Sequence, residues 1–174
     1  MCRHSTSFFG GVVMHIRWMI QADMDRVVQI ESDSFTDPWT EDDFCRVRRS
    51  KTMIAMVGVH NDKVVSYVVY ELRKRSVTIV NLATAADSRR NGFGEAMAKR
   101  VCSKVKWNRC RKFVRVFVEE GNLAGQLFFK SCGFMAVACG QANESGEDVY
   151  VMDYRCASDY VSDAVINRIA AYFV

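Results

Sequence analysis

From Asn81 to Arg100 the chain reads NLATAADSRRNGFGEAMAKR: a strand-like run, a short polar turn, two arginines, two spaced glycines and the start of a helical pattern. Those residue types suit the capture of an anion. Gly92 and Gly94 let the backbone come close to a ligand and aim its N–H groups outward. The helix N-terminus supplies partial positive charge, and Arg89 and Arg90 add full charges. Arg89, Arg90, Asn91, Gly92, Phe93, Gly94 and Glu95 are therefore the candidate cradle for a pyrophosphate. The same letters also fit an ordinary strand-to-helix turn that needs glycine for its geometry. A dinucleotide fingerprint is the poorer match, because it requires G-x-G-x-x-G after the first strand, whereas this run has two glycines after the fourth.

The other reactive residue types offer less. Seven cysteines, at 2, 45, 102, 110, 132, 139 and 156, show neither a CxxC pair nor metal-ligand spacing, which favours a reducing cytoplasm over a disulfide framework. Cys102, Cys132 and Cys139 lie inside apolar patterns and are expected to be small buried hydrophobes. His4, His15 and His60 lack any partner spacing, so no metal is expected. The net charge of +4 is mild. The densest basic run, Lys99 to Lys112, interleaves Arg100, Lys104, Lys106, Arg109 and Arg111 with apolar residues and reads as a solvated helix face. Nucleic acid is not supported as a partner, and no apolar run is long enough to span a bilayer.

These residues need elements to hold them. At 174 residues the chain has the length of one domain. Met14 to Met19 reads as a strand, and Met24, Val27, Val28 and Phe35 step at helical spacing, with Asp23 and Asp25 near the helix start. Thr40 and Asp43 form a capping-box pattern for a second helix. Met53 to Val59 and Val64 to Tyr70 read as a hairpin around His60, Asn61, Asp62 and Lys63, and Val77 to Thr84 as a further strand. Phe93, Met97, Val101 and Val105 mark the main helix, followed by a strand over Phe113 to Val118. Asn122 can cap the next helix, whose Leu123, Leu127 and Phe128 are expected to face inward and which stops at Gly133. Two strands close the order β-α-α-β-β-β-α-β-α-β-β, an α/β chain with a mixed sheet of six to seven strands and helices on both faces. Residues 1–13 read as an N-terminal arm of which no structure is required, with Met14 a plausible alternative start. Residues 156–174 carry Val161, Val165, Ile169 and Tyr172 on one helical stripe, expected to pack on the same domain or to join two copies, so monomer and homodimer both stay open.

The run Arg89 to Gly94 resembles the R/Q-x-x-G-x-G/A loop of the GNAT acetyltransferase superfamily. Phe35 to Glu41, FTDPWTE, is similar, with one insertion-like difference, to the FPW(S/T)E segment of RimI-type ribosomal-protein N-α-acetyltransferases, and NLAT to their NIAV. Asn122 and FFKSCGF resemble their N…LYxxLGF. The resemblance covers about residues 14 to 155 and implies a splayed sheet that binds acetyl-CoA and transfers its acetyl group directly to a primary amine, with a protein N-terminus the first candidate acceptor. It also implies that backbone groups of Leu82, Ala83 and Thr84 pair with the pantetheine arm and that Arg90 to Glu95 hold the pyrophosphate. Asn122 would bond the pantetheine or adenine side, Phe129 would line the cofactor, and Phe35 and Trp39 would wall the acceptor pocket together with the loop after residue 135.

The likeness fails where protons must move. Phe117 stands where the RimI-type enzymes place a glutamate base, and Phe129 where they place a tyrosine acid; neither titrates. Glu119, two residues on and so on the same strand face, is the candidate base, with a solvated strand-end carboxylate the plainer alternative. Tyr67, Tyr70 or Tyr150 could supply the acid, or positioning alone could carry the reaction. A small-molecule amine as acceptor and a CoA-binding module without catalysis are the competing functions.

Overall fold

Two residues set the first long hairpin. Asn61 and Asp62 both take left-handed φ, 48° and 60°, as a two-residue type I′ turn requires, and Asn and Asp tolerate that region better than other side chains. They join β3 (Met53–His60) to β4 (Lys63–Leu72) in antiparallel register from Met53 opposite Glu71 to His60 opposite Lys63.

The computed structural model describes residues 5–9, 12–106, 110–141 and 148–155. In chain order the remaining elements are β1 (Ser5–Phe9), β2 (Val12–Trp18), α1 (Met24–Ser32), α2 (Glu41–Arg49), β5 (Ser76–Thr84), α3 (Phe93–Lys106), β6 (Phe113–Glu119), α4 (Leu123–Ser131), β7 (Met135–Gln141) and β8 (Asp148–Arg155). The chain is of the mixed α/β class, as its periodicities imply. All seven strands expected from the sequence are present, and β1 adds one more. The N-terminal arm is thus corrected: Ser5 to Phe9 pairs antiparallel with Val12 to Ile16. Aromatic and hydroxyl residues favour strand there, and the Gly10-Gly11 sequence between the two runs is a hairpin signal. The expected C-terminal helix, 156–174, lies outside the described residues.

The chain divides into two compact units. The first, residues 1–72 and 78–101, holds β1 to β4, most of β5 and most of α3, its strands in the order β1-β2-β3-β4-β5. Its core joins Met24, Val27 and Ile30 of α1, Phe44 and Val47 of α2, Val57 of β3, Tyr67 and Val69 of β4, and Ala83 of β5. Each large apolar side chain buried there contributes roughly 1.5–3 kcal/mol. Phe44 meets the rings of Trp39 and Tyr67 edge-on, both at 5.5 Å. The capping box of α2 forms as expected, Asp43 N–H donating to Thr40 Oγ1 and Thr40 N–H to Asp43 Oδ2. Asp23 does more than sit at a helix start: its buried carboxylate takes Arg17 in two bonds of 2.6 and 2.7 Å and also accepts the Ile20 N–H.

The second unit, residues 73–77 and 102–174, orders its strands β6-β8-β7. Across β6 and β8, Arg115 lies opposite Asp153 and binds it through Nε at 2.7 Å and Nη2 at 2.9 Å. Helix α4 ends as expected at Gly133, φ 89°. Phe134 N–H returns to Phe129 O and Gly133 N–H to Lys130 O, the paired closure of a Schellman turn. Its inward face is a correction: Leu123 and Leu127 are 61% and 57% exposed, and Phe129 is the buried residue. The sequence LAGQLFFKS is apolar on more than one side, so spacing alone does not choose the face. Phe129 wins because its ring packs edge-on to Phe134 at 5.2 Å. Cys139 is a second correction; Cys102 and Cys132 are buried, but Cys139 is exposed on β7, the last strand of the order.

Candidate active site

Strand β5 ends at Thr84, a short 3-10 turn covers Ala86–Ser88, and the backbone then reverses hand twice before α3. Arg90 sits at φ 65° and Gly92 at φ 79°. An arginine held in the left-handed region costs about 1–2 kcal/mol, and alternation of this kind turns successive N–H groups into one concavity, an anion-binding nest. Arg89 N–H reaches Ala86 O and Ala96 N–H reaches Gly92 O. Between them, none of the amides from Arg90 to Glu95 has a backbone acceptor among the described residues. These amides open α3, a helix of 14 residues, so its dipole adds to their polarity. Arg90 and Asn91 are exposed and Phe93 is buried against the His60 ring at 5.2 Å.

The two arginines differ. Both are exposed, but the Arg89 guanidinium is tied to the protein, Nε donating to Thr84 O at 3.0 Å and Nη2 to Ser34 Oγ at 3.1 Å. Leu82 and Thr84 are half-buried and Ala83 is in the core. Asn91 Nδ2 donates to Ser88 O, closing the turn, and Glu95 pairs with Lys99 one helical turn on.

A polar group that sequence reasoning missed lies in the same unit. Glu31 of α1 is 1% exposed. Its Oε1 accepts Trp39 N–H at 3.0 Å and Asn81 Nδ2–H at 2.9 Å, its Oε2 meets Tyr67 Oη, and Tyr67 Oη is 3.1 Å from Asn81 Oδ1. Burial pushes the Glu31 carboxyl above the usual carboxylate range, opposed in part by the Trp39 and Asn81 bonds. The sequence signal was an acid at the seventh step after Met24 and the third after Val28, on the apolar stripe of the helix. Phe35 and Trp39, read as pocket walls, flank this group: Phe35 N–H donates to Glu31 O at 3.1 Å.

In the second unit, Phe117 is 53% exposed and Glu119 lies on the same face of β6. Asn122 caps α4, its Oδ1 accepting Gly125 N–H at 2.8 Å, which leaves Nδ2 to donate elsewhere. Phe129 is buried between Phe128 and Phe134. Of the tyrosines weighed as acids, Tyr67 and Tyr70 are fully buried and Tyr150 half-buried.

The model of the acetyltransferase (GNAT) family matches residues 24–134, more than half of the chain. The chain belongs to the GNAT acetyltransferase family. Members of that family use acetyl-CoA as acetyl donor. No curated protein matches the chain by sequence. Among solved structures, it is similar to the ribosomal-protein-S18-alanine N-acetyltransferase of Escherichia coli (20% identity, 82% of this chain and 93% of that one, TM-score 0.70). It is also similar to Ard1 of Thermoplasma volcanium (23%, 82% and 97%, 0.72) and to Arabidopsis thaliana NAA60 in complex with acetyl-CoA (17%, 82% and 98%, 0.69). At these identities the likeness is one of fold. The matched span of this GNAT chain includes the nest at Arg90 and Gly92. No helix among the described residues is long and apolar enough to cross a membrane.

Proposed function

We propose that this protein transfers the acetyl group of acetyl-CoA to the α-amine of a protein N-terminus, by direct attack while donor and acceptor are bound together. The observation that carries the reading is the nest of unpartnered amides from Arg90 to Glu95, at the mouth of α3 and beside the exposed Arg90 charge. Arg90, Asn91, Gly92, Phe93, Gly94 and Glu95 hold the pyrophosphate, and Arg89 fixes the loop from behind. Leu82, Ala83 and Thr84 offer backbone groups to the pantetheine, Asn122 offers Nδ2, and Phe129 supplies apolar support. Phe35 and Trp39 form the acceptor wall.

Bound acetyl-CoA supplies a thioester carbonyl and a thiolate leaving group. A neutral amine attacks the carbonyl carbon, the C–N bond forms as the C–S bond breaks, one amine proton goes to a base, and the sulfur leaves as the CoA thiol. Glu119 is the proposed base, directly or through water. With Phe117 and Phe129 unable to titrate, proton transfer to the sulfur falls to solvent, and positioning carries much of the rate. The N-terminal choice of acceptor is supported by the FTDPWTE segment and by the fold shared with the S18-alanine acetyltransferase. The cytoplasm is the proposed compartment, since none of Cys45, Cys102, Cys110, Cys132 and Cys139 is in a disulfide.

Incubation with acetyl-CoA, a panel of N-terminal peptides and small primary amines, with thiol release followed, tests the proposal. Acetylated peptides are the expected result; turnover of small amines only would move the assignment to a small-molecule acetyltransferase. A second reading, a module that binds CoA without transferring it, is favoured by Phe117 and Phe129 and requires CoA binding with no turnover on any acceptor.

A further inference from the structure

Three contacts meet at the Glu31 carboxyl and a fourth joins two of its partners, and their proton count is informative. Trp39 N–H and Asn81 Nδ2–H donate to Oε1, while Tyr67 Oη faces both Glu31 Oε2 and Asn81 Oδ1. A phenol has one proton to give and an ionised carboxylate has none. With Glu31 ionised, Tyr67 can satisfy only one of its two neighbours, so the other contact sets acceptor against acceptor. Turning the Asn81 amide over does not help, because its oxygen would then face Oε1. One additional proton on Glu31 closes every contact in either orientation: the acid donates, Tyr67 donates, Asn81 donates, each to the next.

The surroundings favour that proton. The groups bonded to the carboxyl are uncharged. On α1 itself, Arg26 turns to Val64 O and Asp33 to Gln29. On α2, Asp43 of the first turn pairs with Arg46 of the last turn at the surface. Near the end of β5, Arg89 stops at Thr84 O and Ser34 Oγ. From β4 the facing group is Tyr67 and from β5 it is Asn81. Burial raises the Glu31 carboxyl in the same sense.

We propose that Glu31, Tyr67 and Asn81 close a hydrogen-bonded ring around one extra proton, and that Glu31 is thereby a positioning residue for the acceptor side of the site. Its backbone carbonyl takes the N–H groups of Ser34 and Phe35 and its carboxyl takes that of Trp39, so one residue fixes both ends of the segment that carries the acceptor wall. Asn81 ties the same ring to the strand that runs into Leu82, Ala83 and Thr84. The purpose assigned to the segment rests on the acetyl-transfer reading; the ring itself does not.

The variants Glu31→Gln, Glu31→Ala and Tyr67→Phe test it. Gln carries an N–H where the acid carries its O–H, so it closes the ring without a titrating proton. The ring requires E31Q to keep the parent's thermal stability and acceptor KM at neutral pH. It requires E31A and Y67F to raise that KM about tenfold, the size of one buried hydrogen bond, with CoA affinity by calorimetry unchanged. A protonated-carboxyl stretch at neutral pH, present in the parent and missing from E31Q in difference infrared spectra, is the direct signature. Absence of that band, or E31Q as damaged as E31A, overturns the proposal. Should the parent acetylate no peptide, the acetyl-transfer reading fails, while the band and the thermal stability of E31Q still decide the ring.

Discussion

Arg89 Nη2 donates to Ser34 Oγ at 3.1 Å while Nε of the same guanidinium donates to Thr84 O. The arginine therefore holds the segment after α1 against the end of β5, and the segments proposed to hold acceptor and donor share one side chain. Replacing it with methionine keeps an unbranched apolar stem and removes both bonds. Arg89→Met is expected to raise the acceptor KM more than it weakens CoA, and Ser34→Ala to reproduce only the acceptor effect. Each lost bond is worth about 0.5–1.5 kcal/mol, and steady-state kinetics beside calorimetry separate the two.

The nest makes a second expectation sharp. Arg90→Glu reverses the exposed charge beside a doubly phosphorylated tail and should weaken CoA binding tenfold or more, about 1.4 kcal/mol, leaving the melting temperature near the parent's. Gly92→Ala forces a Cβ into φ 79° and should cost about 1–2 kcal/mol of stability as well as affinity. If Arg90→Glu titrates with CoA as the parent does, the loop is not the cradle.

Glu119 carries the chemical step in the proposed mechanism. Glu119→Gln keeps the size and should lower kcat by about 10²-fold or more, with CoA affinity preserved. An unchanged kcat would assign the proton to solvent and leave positioning as the whole of the catalysis.

The core beneath the acceptor wall gives a stability test. Phe44 is fully buried between Trp39 and Tyr67, so Phe44→Ala removes two edge-on ring contacts and leaves a cavity, at a cost of about 3–5 kcal/mol. Denaturant unfolding followed by tryptophan fluorescence should show it.

Asp23 sets an acid limit. Burial pushes its carboxyl up, but the Arg17 bonds, the Ile20 N–H and the Arg17 charge together hold it below the usual carboxylate range. A lowered value in the folded state means that the contribution is complete above the unfolded carboxylate range and is lost as pH falls below that range through the lowered folded value. Asp23→Asn should flatten the parent's loss of thermal stability in that acid window, at a cost of about 1.5–3 kcal/mol at neutral pH.

What could be read from sequence was local. The glycine turn into α3, the capping box of Thr40 and Asp43, the Asn122 cap, the Asn61-Asp62 turn and the stop at Gly133 each depend on a few adjacent residues, and each is found where its residues put it. The face of α4 was misjudged because apolar residues surround that helix and only the Phe134 ring selects Phe129. The strand at Ser5 to Phe9 was passed over because five residues with no period say little without a partner. The Glu31 group was invisible for a different reason: residues 31, 39, 67 and 81 come from four separate segments, and no spacing rule links them.

The segment from Ser34 to Trp39 is irregular and partly exposed, the kind of stretch that ordinarily exchanges its amide hydrogens with solvent in moments. Here the acceptors for Ser34, Phe35 and Trp39 all belong to Glu31, a residue inside the core. Deuterium can enter at those three positions only when the end of α1 lets go, so a surface loop inherits the slow opening rate of the interior and unfolds as part of it.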